Sequence, residues 1–146
     1  LQPVRAQSWS MIVALKTLDH KPLCTGTVLS EYHILIAAHC LSGVTDYKQL
    51  LIETSSSEPA HPEKIVRGIS RVSIHPSYLT DSTSLHDIAI LHVNATLNPV
   101  KQSSFSMACV PTLTSNAEQH PPVDERLIVV GWITKAGENR VSSNVL

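Results

Sequence analysis

The sequence predicts an all-β fold, and three observations support this prediction. Valine, isoleucine and threonine supply 14, 11 and 11 of the 146 residues, and these β-branched side chains suit a pleated, half-buried surface better than a helix. Short apolar or alternating runs recur along the chain, separated by polar or proline-containing turns. No segment keeps apolar residues at helical spacing for three turns, so long helices are not expected. A barrel or sandwich of short strands fits this pattern.

Seven segments have the length and the apolar pattern of strands. In chain order they are residues 11–15, 23–29, 33–38, 49–52, 65–74, 88–93 and 127–133. The turns between them include residues 19–22, 55–62 and 75–77, each of which contains proline. We expect each run to form one short strand, because proline and polar clusters interrupt strands.

The chain is expected to divide near its C-terminal end. Residues 111–122 are polar and proline-containing, which is the composition of an exposed connection. The predicted division is a first β-barrel over 1–111, a connection over 112–123, and the incomplete start of a second barrel over 124–146. About twenty residues with one or two strands cannot close a sheet, so we expect the chain to stop inside its second domain.

Composition argues against two classes of partner. The formal net charge is −1 and charged residues make up 16% of the chain, against about 25% in average domains. This balance does not fit a protein that binds nucleic acid or an anionic membrane. No run approaches the roughly 18 apolar residues of a membrane span. Residues 1–5 also lack the basic and apolar regions of a secretory signal peptide.

Three cysteines and one sequon bear on the cellular compartment. Cys24 and Cys40 flank two predicted strands, so a hairpin-like arrangement can bring them within disulfide range. The alternative is a pair of buried thiols in a cytosolic protein. The triplet that begins at Asn94 is a candidate N-glycosylation site and favours a secreted protein. Cys109 is left over, so it is either a free thiol or bonded to a partner outside this chain.

The candidate catalytic residues are a histidine and an aspartate. His39 follows an apolar strand, and Asp87 immediately precedes another. A carboxylate that enters a core needs hydrogen-bond donors, and an imidazole N–H is a donor whose ring it also orients. Considered singly, each residue is more often structural. A metal site is not expected, because the eight histidines form no His-Glu-x-x-His motif and no Cys-x-x-Cys pair occurs.

Several segments, in the right order, resemble the trypsin-like serine endopeptidases, which have the chymotrypsin fold. Residues 33–40 are similar to the signature Trp-Val-Leu-Thr-Ala-Ala-His-Cys, and residues 86–93 to Asn-Asp-Ile-Ala-Leu-Leu-x-Leu. Residues 8–15 resemble the family's first strand, and residues 24–29 resemble its Cys-Gly-Gly-Ser-Leu-Ile segment. Residues 74–78 are similar to its His-Pro-x-Tyr turn. Residues 108–111 are similar to the Cys-Leu-Pro that ends the first barrel, and residues 129–132 to the Gly-Trp-Gly that opens the second. The resemblance spans almost the whole chain.

This resemblance implies a fold and a chemistry. The fold is an antiparallel Greek-key β-barrel followed by the start of a second one. His39 would be the general base and later the general acid, and Asp87 would hold its tautomer and stabilise the imidazolium. The family's disulfide carries over to Cys24 and Cys40. The implied partner is a polypeptide substrate, the implied location is extracellular, and no cofactor is implied.

The sequence also departs from the family. The family's nucleophile lies in Gly-Asp-Ser-Gly-Gly, whereas no Gly-x-Ser-x-Gly occurs among these 146 residues, so the chain alone is predicted to be inactive. Its first residues do not match the Ile-Val-Gly-Gly of activated members. Thr25, Ile36 and Ile133 replace a glycine, a threonine and a glycine of the family pattern.

These features leave alternative functions open. The first is a serine endopeptidase represented by a fragment, and the second is a non-catalytic homologue that binds or regulates another protein. A third is an unrelated β-domain with coincidental matches, which the order of the matches argues against. Glu53 and Glu63 are reminiscent of the family's calcium loop, but the residues between them do not match, so we expect a solvated acidic loop without an ion.

Overall fold

A computed structural model of the chain describes residues 2–3, 9–54, 64–78, 85–99, 106–110, 124, 126–135 and 138–145. The side chains of 2–3, 132–135 and 138–145 are not described. The strands are β1 (Gln2–Pro3), β2 (Ile12–Thr17), β3 (Pro22–Ser30), β4 (His33–Ile36), β5 (Leu50–Thr54), β6 (Val66–Ile74), β7 (Ala89–Val93), β8 (Ile128–Lys135) and β9 (Glu138–Val145). Within these described ranges, no helix has the length and apolar character needed to cross a membrane.

The central part of the chain forms a closed barrel. Its strand order is β2-β3-β4-β7-β6-β5, and all neighbouring strands are antiparallel. The predicted all-β fold and the predicted first barrel are therefore confirmed. Closure leaves no unpaired strand edge around this sheet.

Alternation along the strands builds the core of the barrel. In β7, Ala89, Leu91 and Val93 are buried while the residues between them are half-buried, as expected for side chains that point to opposite faces of a strand. The core comprises Val13, Leu15, Val28, Ile34, Ile36, Ala38, Leu50, Ile52, Ile69, Ala89, Leu91, Val93 and Leu97. Burying each large aliphatic side chain contributes about 1.5–3 kcal/mol.

Gly26 allows a close approach inside this core. A Cβ atom at this position would lie 2.7 Å from Ile34 Cγ2 and 3.1 Å from Ile36 Cγ2 and Val13 Cγ2. These are methyl carbons on β4 and β2, the two strands that flank β3 in the barrel. The absence of a side chain therefore lets three strands pack closely at this point.

A second sheet brings the two ends of the described chain together. Its order is β1-β9-β8, with Gln2 opposite Ser143 and Ile128 opposite Val145. The segment 124–146 thus contains a full second strand, where the sequence indicated only the beginning of one. Residues 2–3 belong to this sheet although the predicted division placed them with the first barrel. The predicted connection, 112–123, lies outside the described residues, and the division itself stays a prediction.

Candidate active site

Two neighbouring barrel strands carry the predicted catalytic residues. Strand β4 ends at Ile36, which pairs with Ala89 at the start of β7. Because the strands are antiparallel, the end of one lies beside the start of the other. His39 follows Ile36 by three residues and Asp87 precedes Ala89 by two, so both lie at the same end of the barrel.

His39 lies on a short 3-10 helix rather than on a strand. The sequence predicted a strand over 33–38, but β4 ends at Ile36 and the 3-10 helix spans Ala38–Leu41. The Cys40 N–H donates to the Ala37 carbonyl at 3.2 Å, and the Ser42 N–H donates to the His39 carbonyl at 2.9 Å. These bonds turn the chain out of the sheet and leave the His39 side chain 63% exposed.

Asp87 contacts His39 through both carboxylate oxygens. The His39 backbone N–H donates to Oδ1 at 2.7 Å, and the His39 Nδ1 atom lies 2.6 Å from Oδ2. An ionised carboxylate only accepts hydrogen bonds, so Nδ1 carries the proton in the neutral ring. The Nε2 atom of His39 is then unprotonated and can accept a proton, which is the condition for a general base.

The same contacts keep Asp87 ionised. The hydrogen bond from the His39 ring, followed by the one from the His39 backbone N–H, holds the pKa of the Asp87 carboxyl below its usual value, although desolvation acts in the opposite direction. Asp87 is therefore an anion at neutral pH. An anion beside Nδ1 holds the proton of the neutral ring on that atom and so fixes the tautomer.

A disulfide adjoins the histidine. Cys24 on β3 and Cys40 beside His39 are bonded, with their Cα atoms 6.1 Å apart, within the usual range for such bonds. The pairing implied by the resemblance is confirmed. Cys109 is an exposed free thiol.

The described sulfur and carboxylate groups considered as metal ligands are bonded to other groups of the chain. Within the described ranges, the one cluster with metal-ligand spacing is Cys24, His39 and Cys40, and its sulfurs are bonded to each other. Glu53 was expected in a solvated acidic loop, and this expectation is wrong because the residue is 6% exposed. Its Oε1 atom binds Lys16 Nζ at 2.9 Å and Lys64 Nζ at 2.8 Å. Glu63 lies outside the described residues.

Two lysines neutralise the Glu53 carboxylate. Burial raises the pKa of Glu53, but the hydrogen bonds from Lys64 and Lys16 outweigh it and the net pKa is lowered. The carboxylate is therefore ionised and already compensated by two ammonium groups. A buried charge requires such pairing.

The structure brings together histidines that sequence spacing did not pair. His33 and His92 are cross-strand partners whose ring centroids lie 4.6 Å apart at an angle of 73°. His75 and His86 stack with centroids 4.6 Å apart and planes within 9°. Neither contact has a signal in sequence spacing, because both depend on which strands are paired.

The candidate glycosylation site is exposed. Asn94 directly follows β7, and its backbone N–H donates to the Gly68 carbonyl at 3.0 Å. The hydroxyl of Thr96, the third sequon residue, donates to Glu31 Oε2 at 2.9 Å. N-linked glycans are attached to asparagines of such triplets at the protein surface.

Comparisons with known proteins identify the family. The sequence model of the family described as Trypsin matches residues 1–146. Hypodermin-A of Hypoderma lineatum is 32% identical over 114 residues, which cover 78% of this chain and 40% of that protein. Trypsin 5G1 of Aedes aegypti is 30% identical over 123 residues, covering 82% and 41%, and Serine protease 56 of Homo sapiens is 27% identical over 127 residues, covering 86% and 19%. The chain thus spans about two fifths of the length of the first two relatives. It belongs to the trypsin family.

Proposed function

We propose that the protein carrying this chain is a serine endopeptidase in which His39 is the general base and Asp87 orients it. The observation that carries the proposal is the double contact between them. One carboxylate binds both the Nδ1 atom of His39 at 2.6 Å and its backbone N–H at 2.7 Å. This leaves Nε2 of an exposed ring available to take the proton of a serine nucleophile.

The reaction follows the established scheme of the family. A serine Oγ attacks the peptide carbonyl carbon while its proton moves to Nε2 of His39, and the C=O electron pair moves to the oxygen. Nε2 then gives the proton to the leaving amine nitrogen as the C–N bond breaks. Water repeats both steps on the acyl-enzyme, which releases the acid and restores the serine. Asp87 stabilises the imidazolium throughout.

Residues 1–146 alone are expected to be inactive. A serine nucleophile and backbone N–H donors for the oxyanion are both required, and the family takes them from Gly-Asp-Ser-Gly-Gly. The five glycines of this chain form no Gly-x-Ser-x-Gly; they are Gly26, Gly43, Gly68, Gly131 and Gly137. In this proposal the nucleophile is supplied by sequence outside these residues.

We also propose that the protein is secreted. The Cys24–Cys40 disulfide favours an oxidising compartment, and the exposed Asn94 offers an acceptor for a glycan there. In the same compartment the exposed Cys109 thiol would pair with a cysteine outside this chain. No nucleic acid, membrane or cofactor enters the proposal, and the substrate is a polypeptide.

A non-catalytic homologue is the second candidate. Substitutions close to the site favour it, namely Thr25 and Ile36 in place of family residues. Retention of His39 and Asp87 in bonding geometry argues against it, because a scaffold without catalytic demand has no reason to keep that pair.

Peptide hydrolysis separates the two candidates. The protein expressed from the complete reading frame that contains these residues should cleave a peptide library. His39→Ala should abolish cleavage and Asp87→Asn should lower kcat about 10⁴-fold. His92→Gln, a change at a histidine farther along β7, is the control and should retain activity. Failure of the wild-type protein to cleave, or full activity of His39→Ala, would favour the non-catalytic homologue.

A further inference from the structure

The stacked imidazoles of His75 and His86 lie beside the turn that carries Asp87. His75 follows β6 directly, and His86 immediately precedes Asp87. Their ring centroids are 4.6 Å apart and the planes are within 9° of parallel. Ile74 and Ala89 form the adjacent pair of the β6–β7 ladder. The stack therefore connects the residue that follows β6 with a residue in the turn that precedes β7.

His86 adopts a left-handed backbone conformation. Its φ is 62°, a region that non-glycine residues rarely occupy and that occurs preferentially at functional sites. The Ile88 N–H donates to the His86 carbonyl at 2.7 Å. Asp87 is thus the middle residue of a tight turn, and the direction of its side chain depends on the backbone of His86.

His75 is a fixed platform for the neighbouring ring. Its Nδ1 atom accepts the Ser77 N–H at 3.2 Å, which restrains the ring from one side. Its backbone N–H donates to the Ile88 carbonyl at 3.0 Å, which ties it to the residue after Asp87. A ring held in this way can restrain the more exposed His86 ring by stacking on it.

We propose that His86 is a positioning residue, which by stacking on His75 holds the turn that aims the Asp87 carboxylate at His39. Neither histidine contacts the reacting atoms, so neither is a catalytic residue. This inference deepens the proposed function and rests on it, because the orientation of Asp87 matters only where His39 is the base. The required precision is high, since both oxygens of one carboxylate bind the same residue at 2.6 and 2.7 Å.

Three substitutions separate stacking from backbone conformation. His86→Asn removes the ring but keeps a residue that tolerates the left-handed region. His75→Ala removes the platform and leaves His86 unchanged. His75→Phe is the matched control, because it keeps an aromatic face for stacking while losing the acceptor for the Ser77 N–H.

The readout is the tautomer of the neutral His39 ring in the ¹⁵N-labelled protein expressed from the complete reading frame, measured by two-bond ¹H–¹⁵N correlation at alkaline pH. The bond to Asp87 holds the proton on Nδ1, so the wild-type chain should show the Nδ1–H form. In His86→Asn and His75→Ala, the ratio of the Nδ1–H form to the Nε2–H form should fall by about 2- to 12-fold, the range expected from loss of one aromatic pair. His75→Phe keeps the face for stacking but loses the bond to the Ser77 N–H, so its ratio should fall less than that of His75→Ala.

The outcomes distinguish this inference from the proposed function. An unchanged ratio in both His86→Asn and His75→Ala would overturn the positioning role and leave the His39–Asp87 pair intact. A fall in His75→Phe as large as in His75→Ala would also overturn it, because stacking would not be the cause. A wild-type ring in the Nε2–H form would instead contradict the His39–Asp87 bond itself, and with it both proposals.

Discussion

Removal of the buried carboxylate of Glu53 should strongly destabilise the barrel. The Lys16 Nζ atom lies 2.9 Å from Glu53 Oε1, and both side chains are only 8% exposed. Glu53→Gln keeps the size of the side chain but removes its charge. The Lys16 ammonium then remains buried without an anion to compensate it.

The expected loss follows from this burial. Removing one partner of a buried ion pair costs about 3–5 kcal/mol of unfolding free energy, a large part of the roughly 5–15 kcal/mol that stabilises a typical domain. For a chain of this size, that loss lowers Tm by roughly 10–20 °C. The second lysine gives a contrast, because Lys64 is 56% exposed. Lys64→Met should cost less than about 1 kcal/mol, as exposed pairs do.

Urea denaturation of the purified chain and its variants measures these differences. Glu53→Leu combined with Lys16→Met removes both buried charges, and it should recover most of the stability lost in Glu53→Gln. A loss of unfolding free energy in Glu53→Gln no larger than that in Lys64→Met would contradict the cost of an uncompensated buried ammonium. An apolar double variant less stable than Glu53→Gln would contradict it as well.

Three further predictions concern the core, the disulfide and pH. Gly26→Ala places a methyl carbon 2.7 Å from Ile34 Cγ2 and should cost about 1–3 kcal/mol in urea denaturation; wild-type stability would contradict the close packing. The Cys24–Cys40 disulfide joins residues 16 apart in sequence, and its reduction should lower the free energy of unfolding by about 3 kcal/mol. The variant with serine at both positions is the control, and an equal loss when reductant is added to it would exclude the disulfide as the cause. Because hydrogen bonds hold the pKa of Asp87 below its usual value, its stabilising contribution should be present above about pH 4 and lost as pH falls further. The unfolding free energies of the wild type and Asp87→Asn should therefore converge as the pH falls below about 4, and a difference that does not shrink there would contradict this.

The barrel and the His39–Asp87 contact could be predicted from local sequence and the family resemblance. Apolar alternation and proline-containing turns mark most barrel strands within a few residues, because strand burial has a period of two. The family signatures then placed His39 and Asp87 at strand ends, and antiparallel pairing of those strands brings them together. The Cys24–Cys40 bond followed from the same resemblance.

The contacts that sequence reasoning missed depend on strand register. Glu53 pairs with Ala14, and Lys16 lies two residues along the same strand, so the two charges are diagonal neighbours on one face. Register depends on the whole sheet, so the acidic residue appeared solvated in the sequence. The stack of His75 on His86 likewise requires two chain segments to meet where β6 ends and β7 begins.

If His39 activates a serine of the same protein, that serine should react with a fluorophosphonate. The most direct measurement is labelling of the protein from the complete reading frame with a fluorophosphonate, followed by mass spectrometry of the modified peptide. One serine, in sequence beyond residue 146, should be labelled, and its labelling should be lost in His39→Ala and strongly slowed in Asp87→Asn. Absence of labelling in the wild-type protein, or labelling that is unchanged in His39→Ala, would contradict the role of His39 as the base.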